Sequence, residues 1–192
     1  MKKALIGNGG HAREVMAQMG LNLICFVDDK YIKHGDKTIP LSLFNPEEYA
    51  VMVAIADPRV RYNIVQKLPE KTKYFTFIHP TTLIMNDVEI GEGSFVGAYS
   101  ILTTNIKIGK HSILNRNNHI GHDCVIGDYF SAMPGSIVSG NVTIQDFVYL
   151  GTNSSIKEKL TIHSSTTIGL NTGIVKNITE PGIYVGQNVR KI

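Results

Sequence analysis

The chain has 192 residues, of which 43% are hydrophobic and 18% charged, and a net charge of +3. Its Lys and Arg are too few and too dispersed for a nucleic-acid surface, and no apolar run approaches the roughly 18 residues that span a bilayer. The basic start Met1-Lys2-Lys3 leads into an apolar stretch that ends at once in glycines, unlike a signal peptide. Cys25 and Cys124 each sit among apolar neighbours and read as free buried thiols of a reducing cytoplasm.

Residues 1–78 read as α/β. Ala4-Leu5-Ile6 is a short apolar run, followed by the glycine turn Gly7-Asn8-Gly9-Gly10-His11 and a helix over 12–19 with Val15, Met16 and Met19 on one side. Leu23 to Val27 reads as a strand ending in Asp28-Asp29, and Val51 to Ile55 as another. A helix runs from Pro58 to about Leu68, with Pro in the first turn, where its missing N–H does no harm. Phe75 to Ile78 is expected to be the last strand of a small Rossmann-like parallel sheet. The stretch from Gly7 to Ala12 fits G-x-G-x-x-[GA] after a strand and before a helix, with an acidic pair about 20 residues further on. The repeat described below begins too soon for a second mononucleotide half. The expectation is therefore one nucleotide, its diphosphate on the helix N-terminus and its base or ribose on Asp28 or Asp29; a plain strand-to-helix turn is the simpler alternative.

From residue 84 to residue 174 every sixth position is aliphatic: Ile84, Ile90, Val96, Leu102, Ile108, Leu114, Ile120, Ile126, Ala132, Val138, Ile144, Leu150, Ile156, Ile162, Ile168 and Ile174. Neither a helix nor a flat strand has that period. It predicts a hexapeptide β-helix over 79–192, in which six residues make one face of a triangular prism and three faces complete a coil. Small or β-branched residues recur two positions before the core residue, and glycine often follows it, as at Gly91, Gly109 and Gly121. Such glycines suit corners that need unusual backbone angles or close approach.

One polar cluster stands out in the repeat, Asn115 to Cys124. Ile120 must point inward, so His119 and His122 lie outside. A histidine beside a carboxylate, here His122 and Asp123, is the usual construction of a general base near neutral pH, because the anion favours the imidazolium and holds one tautomer. An ordinary exposed corner is the plainer reading. A metal site is the rival chemistry, but His111 and His163 fall in other coils, and no third histidine is placed to join His119 and His122.

The glycine turn, Val27-Asp28-Asp29, the prism, Gly121 to Asp128 and the ending Pro181 to Gly186 together resemble the sugar acetyltransferases of the hexapeptide superfamily. The likeness is greatest to those that N-acetylate a UDP-linked 4-amino sugar on the way to bacillosamine and to relatives acting on dTDP- or GDP-linked 4-amino-4,6-dideoxy sugars. The resemblance implies a left-handed prism and a homotrimer with active sites between subunits, in the cytoplasm, serving surface polysaccharide (O-antigen, lipopolysaccharide) or glycoprotein synthesis. It implies that Gly9, Gly10, His11, Asp28, Asp29 and Ala56 hold the nucleotide and that Asn115 lies near the sugar. Acetyl-CoA, the co-substrate in a reaction without metal, would lie along the prism near Ser131, Gly140, Thr152 and Leu170. His122 aligns with the catalytic base and Asp123 with its acidic partner, and the Gly140 N–H would stabilise the oxyanion. Relatives often have histidine where this chain has Ser131, which bears on the acyl-side contact. Two alternatives stay open: O-acetylation of a sialic-acid type of sugar, and nucleotide-sugar binding without turnover.

Overall fold

In a computed structural model that describes residues 1–32 and 38–186, the chain forms an α/β unit seated on a three-sided prism. The α/β unit contains β1 (Lys2–Ile6), α1 (Gly10–Met19), β2 (Ile24–Val27), β3 (Ile39–Pro40), β4 (Tyr49–Val53), α2 (Pro58–Val65) and β5 (Lys73–Tyr74). Its sheet runs in the order β3-β2-β1-β4-β5, every neighbouring pair parallel. Leu5, Ala12, Val15 and Met52 form one apolar layer and Ile6, Phe26, Val51 and Ile64 another, one on each face of the sheet.

Both helices stop and start where local chemistry dictates. Gly20 adopts the left-handed conformation after α1 (φ 63°), and its N–H and that of Leu21 bond the carbonyls of Ala17 and Met16. Asp57 caps α2 by accepting from the Val60 N–H at 2.9 Å, with Pro58 next to it.

The prism obeys the six-residue period throughout. Its three parallel sheets have seven, six and five strands, and partners are eighteen residues apart, as in Ile101 with His119 and Lys107 with Val125, except in the final pair, where Thr166 meets Gly182. The periodic aliphatics from Val96 to Ile174 share one internal core, which Phe130 and Val142 complete. A buried aliphatic side chain contributes about 1.5–3 kcal/mol, so the stacked column is the main source of the prism's cohesion.

Two expectations change. Phe75 to Ile78 is not one strand: Lys73–Tyr74 closes the α/β sheet, whereas Phe77–Ile78 pairs with Phe95–Val96 as the first rung of the prism. The glycines after the core residue serve close approach only. A Cβ on Gly121 would lie 2.6 Å from the Gly140 nitrogen. The left-handed residues come three places after the core residue and are mostly not glycine, among them Asn105, His111, Asp123, Tyr129 and Asn141.

The α/β unit covers the seven-stranded face, where Phe95 and Ile113 pack under α1 and β1. It also grips an edge of the prism. There the rings of His111, Tyr129 and Phe147 stack at 5.2 Å intervals, Tyr62 meets them edge-on, and the Arg59 guanidinium lies 3.8 Å over Phe147.

Candidate active site

Three regions hold the polar groups that the sequence singles out. The first is at the C-terminal ends of β1, β2 and β4. A cavity of about 410 Å³ opens there, lined by Gly7, Asn8, Gly9, Asp28, Tyr31 and Ile55 among others. Gly7 has φ 110°, and a Cβ on it would press on the Ala54 carbonyl and Ile55 at 3.2 Å, so the turn needs glycine. Gly9 lines the cavity, precedes α1 and has no side chain to cap it, so the first-turn N–H groups have no side-chain partner there.

Asp28 accepts from Lys67 Nζ at 2.6 Å, and this bond holds its carboxyl below the usual range. The bond from Ser42 does the same for Asp29, which faces a smaller neighbouring cavity. Gly10 and His11 open the helix without lining the main cavity. The His11 ring instead sits edge-on to Phe95 and 3.8 Å from Glu14. Burial pushes it down to about 4, and neither ring nitrogen has a hydrogen-bond partner.

The second region is the seam between the two units. Arg61 is fully buried and reaches the carbonyls of His111, Ile55, Ala56, Tyr129 and Phe130 at 2.6–3.1 Å and the Ser131 hydroxyl at 2.9 Å. Burial lowers its guanidinium to about 9, still cationic at neutral pH. Ser131 in turn donates to the Ala56 carbonyl at 2.7 Å and has no exposed surface. This overturns its expected contact with acetyl-CoA, because the hydroxyl is covered by the α/β unit and its bonding is used up. Ala56 lines a cavity of about 430 Å³ with Asp57, Pro58, Tyr149 and Thr167. Asn115 is buried beside α1, where it donates to Glu14 at 3.3 Å; Arg116 also bonds Glu14.

The third region is the prism edge between the six- and five-stranded faces. His122 Nδ1 and Asp123 Oδ2 are 2.6 Å apart, and both side chains are about half exposed. Since Asp123 is a carboxylate, Nδ1 carries the proton and Nε2 is left as an acceptor. Asp123 Oδ1 accepts from Asn105 Nδ2, also at 2.6 Å, and these two bonds hold the carboxyl below its ordinary range, the Asn105 bond being the larger cause. Gly140 lies one coil below, so close that a Cβ there would stand 2.6 Å from His122 Nε2. Thr152 and the exposed Leu170 stand one coil apart on a different edge. Among the described residues no group of three or more His, Cys, Asp or Glu is placed to hold a metal ion.

The profile of the PglD N-terminal domain family matches residues 2–68. Over 135 residues the sequence is 28% identical to the GDP-perosamine N-acetyltransferase of Escherichia coli O157:H7, a match that covers 70% of this chain and about half, 54%, of that enzyme. Among solved structures, WeeI from Acinetobacter baumannii AYE superposes with a TM-score of 0.87 at 30% identity over 97% of both chains. The chain belongs to the hexapeptide-repeat sugar acetyltransferase family. PerB from Caulobacter crescentus, solved with CoA and GDP-perosamine, shares the fold at a TM-score of 0.74 and 20% identity, over 97% of this chain and 94% of that one.

Within this family member the expected site residues are not gathered in one place. His122 with Gly140, the cavity with Gly9 and Asp28, and Thr152 with Leu170 occupy separate parts of the protomer. Arg61, Asn105 and Glu14 were not foreseen. Asn105 had a signal, since it stands one coil of eighteen residues before Asp123. Arg61 had none, because five of its partners are backbone carbonyls.

Proposed function

We propose that the protein transfers the acetyl group of acetyl-CoA to the amine of a nucleotide-linked 4-amino-4,6-dideoxy sugar. The observation that carries this reading is the His122–Asp123 pair, with Nε2 free to accept a proton. The match to a GDP-perosamine N-acetyltransferase favours an amine over a sugar hydroxyl as acceptor and turnover over binding alone. Residues 1–78 serve as the nucleotide-sugar unit, its last two already the first rung of the prism, and 79–192 as the acyl-transfer unit.

Nε2 of His122 takes a proton from the amine as nitrogen attacks the thioester carbon, directly or through one water; the C–S bond then breaks and the imidazolium returns that proton to the sulfur, so that CoA leaves as the thiol. Asp123 stabilises the imidazolium formed. The Gly140 N–H offers a hydrogen bond to the tetrahedral oxyanion. The α/β unit binds the nucleotide through the turn at Gly9, Gly10 and His11, with Asp28 and Asp29 at the ribose or base and Ala56 nearby. Asn115 borders the sugar. Gly140, Thr152 and Leu170 border acetyl-CoA. No step calls for a metal.

Geometry argues for an active site shared between copies of the chain, and the family resemblance makes that assembly a homotrimer. The α/β unit covers the seven-stranded face, and His122 stands on the edge opposite that face, so a protomer cannot bring its own His122 to its own nucleotide cavity. A neighbouring prism can. The cytoplasm is the compartment proposed, since it holds the nucleotide sugars and acetyl-CoA and leaves Cys25 and Cys124 unpaired. Among the described residues no helix is long and apolar enough to cross a membrane. The product would enter surface polysaccharide or glycoprotein glycan synthesis.

The test is His122→Ala assayed with acetyl-CoA and UDP-, dTDP-, GDP- and CMP-linked sugars. Turnover should fall about 10²–10⁴-fold, with thermal stability and assembly unchanged. Near-normal turnover in that variant removes His122 from the chemistry, and a product that keeps a free amine removes N-acetylation.

A further inference from the structure

The corner that carries His122 belongs to a column of left-handed residues eighteen apart: Asp87, Asn105, Asp123, Asn141 and Lys159, with φ between 53° and 62°. Equal backbone conformations stacked one coil apart make each side chain project over the next. Asn105 projects onto Asp123. Its amide nitrogen must be the atom that faces the carboxylate, because an amide oxygen there would set acceptor against acceptor.

The two oxygens of Asp123 are thereby divided. Oδ1 is held by Asn105 and Oδ2 by His122 Nδ1, each at 2.6 Å. A carboxylate that keeps only the His122 bond can rotate about χ2 and pivot, carrying an imidazole that is 56% exposed and has no packing on its open side. Below the ring, Gly140 allows contact without a Cβ. The backbone is set separately, since the Asp123 N–H bonds the Thr104 carbonyl at 3.1 Å and the Asn141 N–H bonds the His122 carbonyl at 2.8 Å. The backbone thus fixes the corner but not the two side chains; among the described residues, Asn105 is the group that fixes the carboxylate.

We propose that Asn105 is a positioning residue of the acetyl transfer, orienting Asp123 and through it His122 so that Nδ1 donates to the carboxylate and Nε2 is aimed outward. This rests on the reading of His122 as the base. Other ionisable groups at this edge lie further along the same column or inside. Asp87 is one coil beyond Asn105, and Lys159 is two coils beyond Asp123. The Cys124 thiol is buried, bonding the carbonyls of Ser139 and His122. None of these reaches the Oδ1 side of Asp123.

Two variants separate orientation from folding. Asn105→Gly removes the amide and suits the left-handed corner better than any other residue. Asn105→Asp keeps the shape but sets a carboxylate against a carboxylate, and two such groups in contact cannot both ionise. The first readout needs no substrate. It is the carboxyl carbon signal of Asp123, assigned through Asp123→Asn, followed by NMR against pH. In the wild type it should titrate below the ordinary Asp value of about 3.9, in Asn105→Gly higher but still below that value because the His122 bond remains, and in Asn105→Asp the facing pair should share a proton well above it. The second readout is kinetic. In Asn105→Gly kcat should fall about 10-fold or more, the worth of a hydrogen bond to a charged group, with KM for both substrates within about twofold of wild type.

A purely structural role predicts a lower melting temperature with the titration and kcat unmoved, and that result overturns the inference. So does a shifted titration with unchanged kcat. A wild-type enzyme inactive on every nucleotide amino sugar instead overturns the proposed function, and the carboxyl titration still reports whether Asn105 governs Asp123.

Discussion

His111 and His122 stand at corners of the same repeat and have opposite surroundings. His111 is 4% exposed, its ring stacked on Tyr129 and met edge-on by Tyr74. Burial and the Arg61 cation drive it down to about 4, so it is a neutral ring within an aromatic stack. His122 has an open side chain whose Nδ1 faces a carboxylate. The repeat places both outside the prism, but only at His111 does the α/β unit cover the corner. One residue type on one scaffold becomes packing or chemistry according to what lies over it.

That contrast can be broken hardest at Arg61. Arg61→Met should destabilise the protein by about 3–5 kcal/mol, the usual loss when a buried polar network is stripped of its charged member, because five carbonyls and the Ser131 hydroxyl lose their donor. Arg61→Lys should recover little, since a point charge cannot span acceptors on both units. Urea unfolding measures both; a Met variant as stable as wild type would mean that the seam does not hold the covering unit in place. Next in size is Gly140→Ala. Gly140 is not in the left-handed region, so alanine suits the backbone, but its Cβ would stand 2.6 Å from His122 Nε2 and push the ring aside. The expected outcome is roughly a 100-fold loss of kcat from misplacement of the base, with a change in stability below about 1 kcal/mol. A stability loss without a kcat loss would make this edge resemble the buried one.

The prism was legible because a six-residue period is a geometric fact about the chain, and so was the pairing of His122 with Asp123, which are neighbours in sequence. What the period reports is inside or outside the prism. It does not report what covers the outside. Ser131 stands where the resemblance implies a contact with acetyl-CoA, and its position on the strand is outward, yet the α/β unit lies over it. Arg61 was invisible for a related reason: backbone carbonyls have no side-chain code, so nothing in the sequence marks the surface that receives the guanidinium. Asn105 needed only one further step, adding eighteen residues to a corner position. The miscast strand at 75–78 shows the opposite failing, in that the alternating Phe75 and Phe77 resemble one strand when Phe75 bonds the α/β sheet at Val51 and Phe77 pairs with Phe95 in the prism.

The smallest of the expected effects is the pH dependence of the covered corner. His111 is held near 4 in the folded protein against about 6.5 unfolded. Its lowered value means that the unfolded chain binds the proton first. The stability it permits is therefore complete above about pH 6.5 and is lost as pH falls toward 4. By pH 5 the loss from this residue comes to about 2 kcal/mol. The groups that set the shift after burial are Arg61 and Lys110, which lower it, and Glu92 and Asp128, which oppose. His11, also near 4, adds a parallel loss, whereas the depressed carboxylates begin to protonate only at lower pH. His111→Phe continues the aromatic column, and Tyr129 and Phe147 already tolerate the same left-handed backbone. Urea midpoints at pH 7.5 and 5 should show that this variant removes about half of the acid loss seen in the wild type. An acid loss undiminished in His111→Phe would mean that coverage by the α/β unit does not set the state of this ring.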